Sequence, residues 1–352
     1  MRSNSADLRN SRLRDREITV DMKRRLRRSA GRNCTALIWF LIAATILKYG
    51  VYFVLELLPI GESHIKYIYN PVMYILVYIL LFPIAIKIAN RKRPEAVGMI
   101  LRKPPEKRFA TFRWVIIGIG ITQILQYLVK GIFLILEIVT GLNLLDVNTT
   151  VQPEMVNRIT TLIVLGFIAP FLEEVLYRGT ILKNTVRYGE WFGIISTGAV
   201  CGLIFVQIDQ AANAVVLGIV CGFLMVKAKS VRPAIMVHMG YSLIRLLGLC
   251  FSGWGSNKKG DLIYKAQIPE WVISGEKAVT VISVLMIALG IIFLVIEKAR
   301  NRDLFELEDA MPGLTTGQKV AAYLTAPQTM IFMILSVVLM LINVASGILG
   351  FR

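Results

Sequence analysis

The chain has 352 residues, of which 55% are hydrophobic and only 18% are charged, and this is too apolar for an ordinary soluble domain. The formal net charge of +17 raises the question of nucleic-acid binding. The basic residues instead cluster beside the ends of long apolar runs, without a nucleic-acid-binding signature, so we expect no nucleic-acid partner. The expected partners are the lipid bilayer and anionic lipid headgroups.

Nine apolar runs follow one another along the chain, each of roughly twenty residues. A helix of that length, rising about 1.5 Å per residue, crosses a hydrocarbon layer of about 30 Å. The runs cover residues 35–58, 67–89, 114–139, 159–182, 191–208, 211–227, 231–251, 278–296 and 328–351. We therefore predict an all-α fold, a polytopic transmembrane helix bundle of eight to nine spanning helices.

The distribution of lysine and arginine predicts the orientation of this bundle. Most of the 40 basic residues fall before the first run and in alternate loops after it, and positive charge near helix ends is retained in the cytoplasm. We expect a cytoplasmic N-terminus, a C-terminus outside if nine helices span, and location in the plasma membrane of a bacterium. Lys48, Lys130 and Arg245 fall inside predicted spans, where each needs a partner or a polar cavity.

The runs divide the chain into four parts. Residues 1–33 form a basic cytoplasmic tail that we expect to be at least partly disordered, because it holds few large apolar residues. Residues 34–158 hold the N-terminal transmembrane helices, and residues 159–252 form the core with the reactive residues. Residues 253–352 contain an outer loop, a cytoplasmic connector and two C-terminal transmembrane helices.

Cysteine and histidine limit the metal chemistry that the chain can support. The four cysteines lie in or at the ends of predicted helices without a CxxC pair, so they are expected to be core residues. The only two histidines are His64 and His238, which excludes a site with several imidazole ligands. No cofactor is required by the sequence, and a divalent metal, if one binds, would be held mostly by carboxylates.

The fourth run contains two adjacent carboxylates, Glu173 and Glu174, in an otherwise apolar span. Ionisable groups at that depth are costly and are usually functional. Glu174 and Arg178 are four residues apart, so we predict that they form a structural ion pair on one helix face. Glu173 then projects toward a neighbouring helix or a water-filled cavity, where it can act as a general base. The alternative is an ion-paired packing helix.

The seventh run carries His238, Ser242 and Arg245 as a polar stripe along one helix face. For a lone membrane histidine, a helix-to-helix hydrogen bond is the simpler interpretation. The paired carboxylates favour a functional role instead. We therefore predict that Glu173 and His238 face each other across a polar cavity reached from the cytoplasmic side.

These residues together resemble a known family. Three segments are similar to motifs of the CAAX prenyl protease and bacteriocin-processing (CPBP, Abi) family. They are Glu173-Glu-x-x-x-Arg178 with the following Gly179, Phe205 four residues before a polar position, and Arg232-Pro-Ala-Ile-Met-Val-His238. The resemblance covers residues 159–247. It implies an intramembrane peptidase.

The resemblance implies that the first glutamate activates the attacking water with help from a histidine in the second motif. It also implies that the last histidine and an asparagine four residues later stabilise the oxyanion. Here Asp209 and Ser242 occupy the second-motif histidine and the asparagine positions. The candidate catalytic residues are Glu173, Glu174, His238, Asp209 and Ser242, and the candidate metal ligands are Glu173, His238 and Asp209.

The two departures have different consequences. The Ser242 hydroxyl can still donate one hydrogen bond to an oxyanion. Asp209 could share a proton with Glu173 in an acid dyad. Alternatively, Asp209 and Arg245 form a salt bridge between helices in the outer half of the bundle, because each would be costly to bury alone. That bridge would make Arg245 a structural residue and draw Asp209 away from Glu173.

Three functions are open at this point. The first is an intramembrane endopeptidase that cuts a peptide or a lipid-modified protein, with Glu173 as the base. The second is a pseudoprotease that binds and regulates a membrane protein partner, which the changes at Asp209 and Ser242 favour. The third is a transporter, suggested by the basic residues within spans, although the inverted repeats common in such folds are not evident.

Overall fold

The computed structural model describes residues 2–59, 61–91, 108–141, 155–205, 207–252, 268–309 and 313–348. These residues form helices and no β-strand, which confirms the predicted all-α fold. The helices are α1 (Arg2–Glu56), α2 (Glu62–Ile75), α3 (Phe82–Ala89), α4 (Arg108–Thr140), α5 (Met155–Ile163), α6 (Ala169–Leu176), α7 (Lys183–Thr185), α8 (Glu190–Leu203), α9 (Ile208–Ala228), α10 (Arg232–Ser252), α11 (Glu270–Arg300), α12 (Thr316–Leu324) and α13 (Pro327–Ile348).

Eight helical segments within the described ranges are long and apolar enough to cross a membrane, which confirms the polytopic bundle. The fifth predicted run, 191–208, is not among them. Its helix, α8, has 14 residues and therefore a length of about 21 Å, short of a hydrocarbon layer of about 30 Å. The helix ends at Leu203, and Gln207, which is extended with φ −95° and ψ 130°, precedes the next helix at Ile208.

The N-terminal tail differs from its expected partial disorder. Helix α1 continues without a break from Arg2 to Glu56, since the sequence has neither glycine nor proline before Gly31. The last turns of the predicted tail are also packed. Leu26 and Ala30 are fully buried in the same apolar cluster as Tyr323 and Phe332 from the C-terminal part of the chain.

Two predicted loops fall largely outside the described residues. Residues 253–267 belong to the predicted outer loop, and residues 92–107 to the basic loop between α3 and α4. The predicted connector, 298–327, is described except for residues 310–312. It contains α12, which begins with a capping box between Thr315 and Gln318.

Helices α8 and α9 form a tightly packed pair through glycines, as the small-xxx-small spacing predicts. A Cβ atom added to Gly218 would lie 2.8 Å from the Cα of Gly198, so the two backbones meet directly. A Cβ atom on Gly202 would lie 2.7 Å from the carbonyl oxygen of Ala211. The pair therefore brings the backbone of α9 close to the core of the bundle.

The segment with the paired carboxylates contains two π-helical turns, Val164–Ile168 and Tyr177–Leu182, on either side of α6. The first turn lies immediately before Pro170. Because proline has no N–H, the carbonyl of Gly166 has no α-helical donor, and the irregularity expected one turn before the acids takes the form of this wide turn. Such turns rotate the residues that follow relative to a regular helix.

Helix α10 is fixed by close contacts with two neighbours. A Cβ atom on Gly118 of α4 would lie 2.5 Å from a methyl group of Val237, and one on Gly166 would lie 2.8 Å from a methyl group of Leu243. Larger residues at these glycines would push α10 outward. With α10 in this position, His238 contacts Glu174 of α6.

Candidate active site

The two carboxylates of α6 have different environments. Glu174 is fully buried, and its Oε1 accepts a hydrogen bond from Arg178 Nη1 at 2.9 Å. The predicted Glu174–Arg178 ion pair is therefore present. Arg178 Nη2 donates to the carbonyl oxygen of Gly218 at 2.8 Å, so the same guanidinium also anchors α9.

Glu174 has a second partner, His238. The Nδ1 atom of His238 lies 2.9 Å from the same Oε1 atom that Arg178 contacts. An ionised carboxylate only accepts hydrogen bonds, so Nδ1 carries a proton and donates it to Glu174. This contact fixes the ring orientation and turns Nε2 toward Glu173.

Glu173 faces His238, as predicted. The Oε2 atom of Glu173 lies 3.8 Å from His238 Nε2, which is too long for a direct hydrogen bond but allows one water molecule to contact both atoms. Glu173 Oε1 accepts a hydrogen bond from the hydroxyl of Tyr78 at 3.1 Å. One carboxylate oxygen is thus held by Tyr78, and the other is left for a water molecule.

Tyr78 is a site residue that the sequence analysis missed. It lies in the π-helical turn Leu76–Leu81 between α2 and α3, and its ring stacks on Phe82 with centroids 5.0 Å apart. One signal could have identified it: Asn70, Tyr74 and Tyr78 recur every fourth residue in an apolar run, and all three line the cavity described next.

A cavity of about 560 Å³ adjoins Glu173 and His238. From these residues it follows α10 past Ser242 and Arg245 to Leu249, near the C-terminal end of that helix. It follows α5 and α6 back to Asn157, near the start of α5. These are the helix ends opposite the basic segments. The polar lining thus continues away from the basic end, and the side from which the cavity is reached stays a prediction.

Gln126 and Tyr241 are further polar residues in the cavity wall that the sequence analysis did not identify. The hydroxyl of Tyr241 donates a hydrogen bond to Gln126 Oε1, linking α10 to α4. Each residue is a single polar group in a long apolar run. Sequence spacing alone gives neither of them a partner.

Asp209 does not line this cavity. It lies in the first turn of α9, and a carboxylate in that position is stabilised by the free N–H groups of the helix start. Among the described residues, the ion pairs do not include one between Asp209 and Arg245. Arg245 instead lines the cavity beyond Ser242.

The candidate metal ligands are not assembled either. In the part of the chain that the structure describes, no three histidine, cysteine, aspartate or glutamate side chains lie close enough to hold one ion. Glu173 and His238 are neighbours, but Asp209 lies outside the cavity that they share. The set of Glu173, His238 and Asp209 is therefore not a preformed site.

Part of the chain is similar to a known protein family. Residues 155–244 match the family model described as type II CAAX prenyl endopeptidase Rce1-like. No curated protein and no solved structure matches the chain. The matched segment includes Glu173, Glu174, Arg178 and His238, and it leaves out Tyr78. The predicted resemblance to CAAX-type intramembrane proteases is thereby confirmed: residues 155–244 are similar to the Rce1-like family, and they lie within a larger helical membrane protein.

Proposed function

We propose that the chain is an intramembrane endopeptidase in which Glu173 activates the water that attacks a peptide bond. The observation that carries the proposal is the 3.8 Å approach of Glu173 Oε2 to His238 Nε2 beside a polar cavity. The fixed orientation of both groups supports it. Glu174 holds the imidazole, and Tyr78 holds the carboxylate.

The reaction follows from these positions. A water molecule in contact with Glu173 loses a proton to the carboxylate while its oxygen adds to the carbonyl carbon of the peptide bond. When the C–N bond breaks, Glu173 returns that proton to the departing amine. In its doubly protonated form, His238 keeps Nδ1–H on Glu174 and donates Nε2–H to the developing oxyanion.

Two further residues have roles in this scheme. Ser242 is one helical turn from His238 in the same cavity wall, so its hydroxyl is in place to donate a second hydrogen bond to the oxyanion. Tyr78 donates to the carboxylate oxygen that faces away from His238. It thereby leaves the other oxygen for the water.

The direction of the cavity bears on the substrate. The lining continues from Glu173 toward the end of the bundle opposite the basic segments. A peptide or lipid-modified protein substrate would therefore approach from that end. With a cytoplasmic N-terminus, as positive charge predicts, this is the outer side of the membrane.

The second candidate is a pseudoprotease that binds and regulates a membrane protein. The observation in its favour is Asp209, which stands at the family's second-motif histidine position and lies outside the cavity lining. Without that histidine, Glu173 depends on Tyr78 and His238 for its orientation. The two functions differ in whether any peptide bond is cut.

A cleavage assay separates them. Purified full-length protein in detergent is incubated with a synthetic peptide library, and the products are identified by mass spectrometry. We expect cleavage by wild type, its loss in Glu173→Gln, and its retention in Glu276→Gln, which changes an exposed glutamate of α11 in the same way. Cleavage by Glu173→Gln at the wild-type rate would contradict the endopeptidase mechanism. No cleavage by folded wild type would favour the pseudoprotease.

A further inference from the structure

A second cavity of about 560 Å³ shares no lining residue with the cavity beside Glu173. Three parts of the structure form it: residues 25–35 of α1, the turn Val186–Tyr188, and the start of α13 at Pro327 and Gln328. The parts meet closely, because a Cβ atom on Gly31 would lie 2.6 Å from the side-chain oxygen of Gln328.

The cavity lining is strongly basic. Five of its ten lining residues are arginines: Arg25, Arg27, Arg28, Arg32 and Arg187. The other five are neutral. On α1, residues 25, 28, 32 and 35 follow the spacing of one helix face. Like charges gathered around one cavity repel each other, so this lining favours a bound anion.

Neutral contacts hold two of these guanidinium groups in place. Arg187 stacks on the ring of Tyr188 at 5.0 Å and donates from Nη2 to the hydroxyl of Ser29 at 3.4 Å. Arg27 donates from Nη2 to the hydroxyl of Thr325 at 2.9 Å. These contacts orient the groups without neutralising their charge. Arg25 differs, because it forms an exposed ion pair with Asp21.

The position of the cavity relative to the membrane indicates which kind of anion binds there. Tyr188 ends one candidate membrane span and Pro327 begins another, so the cavity lies at a membrane boundary. Below it, α1 and α13 expose Ile42 and Ile331 to the surroundings. A phosphate at the level of the arginines would thus stand above apolar helix surface that suits acyl chains. Basic pockets between membrane helices are known to bind anionic lipid headgroups.

We propose that this arginine cavity binds the phosphate of an anionic phospholipid. The same guanidinium chemistry would accept a soluble phosphate, so the two sources must be separated by experiment. The proposal does not depend on the peptidase mechanism. The proposed lipid contacts α1, α13 and the turn after α7, and its cavity shares no lining residue with the candidate active site.

The test uses full-length protein in detergent, with the melting temperature as the readout. Short-chain phosphatidylglycerol, phosphatidylcholine with the same chains, and inorganic phosphate are titrated separately, and each apparent affinity is derived from the stabilisation. The variant is Arg28→Gln with Arg32→Gln, which changes two exposed side chains of the lining. The control is Arg300→Gln with Arg302→Gln, which removes the same charge from exposed residues outside the lining.

We expect phosphatidylglycerol to stabilise wild type and the control variant more than phosphatidylcholine does. The lining variant should bind phosphatidylglycerol roughly 10- to 30-fold more weakly, since each basic side chain near an anionic surface adds on the order of fivefold in affinity. Equal stabilisation by the two lipids, or equal loss in both variants, would overturn the proposal. Stabilisation by inorganic phosphate equal to that by phosphatidylglycerol would overturn the assignment to a lipid.

Discussion

Glu174 is the residue through which the charges of the candidate active site are connected. One of its oxygens accepts hydrogen bonds from both Arg178 and His238 at 2.9 Å. Glu174 is fully buried and does not line the cavity, so it acts on the chemistry through the imidazole that it orients. The spacing of Glu174 and Arg178 predicts their ion pair from sequence, whereas the contact with His238 depends on how α10 packs.

Removing the cation of this pair should destabilise the fold. In Arg178→Ala, Glu174 keeps His238 as a partner but loses the permanent charge that compensates a carboxylate in the protein interior. The expected cost is about 3 kcal/mol or more. It should appear as a lower melting temperature in detergent and lower abundance in the membrane. Arg300→Ala, at an exposed position, is the control, and normal stability of Arg178→Ala would refute the structural role of the pair.

The hydroxyl of Tyr78 should matter for rate and little for folding. Tyr78→Phe keeps the ring that stacks on Phe82 and removes the hydrogen bond to Glu173. Glu173 borders the cavity, where a water molecule can replace the lost donor, so the melting temperature should stay close to wild type. The less well oriented carboxylate should lower kcat roughly 10- to 100-fold. Tyr69→Phe removes a hydroxyl that donates to the Lys48 carbonyl and should leave kcat unchanged. An unchanged kcat in Tyr78→Phe would exclude a positioning role.

At the scale of elements, the close packing of α8 on α9 determines where Arg178 finds its second partner. Gly218 meets Gly198 backbone to backbone, and its own carbonyl oxygen accepts the hydrogen bond from Arg178. The glycine spacing predicts this packing. The end of α8 at Leu203 is not predictable in the same way, because residues 203–206 continue the apolar run without glycine or proline. The apolar run therefore predicts a helix that continues to residue 208, whereas the helix ends at Leu203.

A methyl group on Gly218 should disrupt this element pair. In Gly218→Ala, the new Cβ atom would lie 2.8 Å from a backbone atom of Gly198, so α8 and α9 must separate. Overpacking of this kind costs about 1–3 kcal/mol. Gly131→Ala adds the same methyl group in α4 with no atom within 4 Å, and it should be neutral or slightly stabilising. Equal melting temperatures for the two variants would argue against the tight α8–α9 contact.

At the scale of the whole molecule, apolar run length was sufficient to predict a helical membrane bundle, and the Glu173 and His238 motifs were sufficient to predict the two facing side chains. The spacing of Tyr78 with Asn70 and Tyr74 indicates a polar helix face, but Tyr78 lies in a segment that the family match leaves out, and its contact with Glu173, 95 residues away, could not be predicted. The direction of the cavity also depends on side chains from several helices together. Such properties follow from packing between distant segments, which no local pattern encodes.

The most direct test of the central claim, that Glu173 and His238 form one catalytic unit, is a double-mutant cycle on the cleavage rate. Wild type, Glu173→Gln, His238→Gln and the double variant are compared in the peptide-library assay, using a peptide that wild type cleaves. Residues that act as a unit show strongly non-additive losses. We expect each single variant to lose nearly all cleavage and the double variant to lose no more. A double variant whose loss equals the product of the two single losses, or a single variant that retains wild-type cleavage, would contradict the claim.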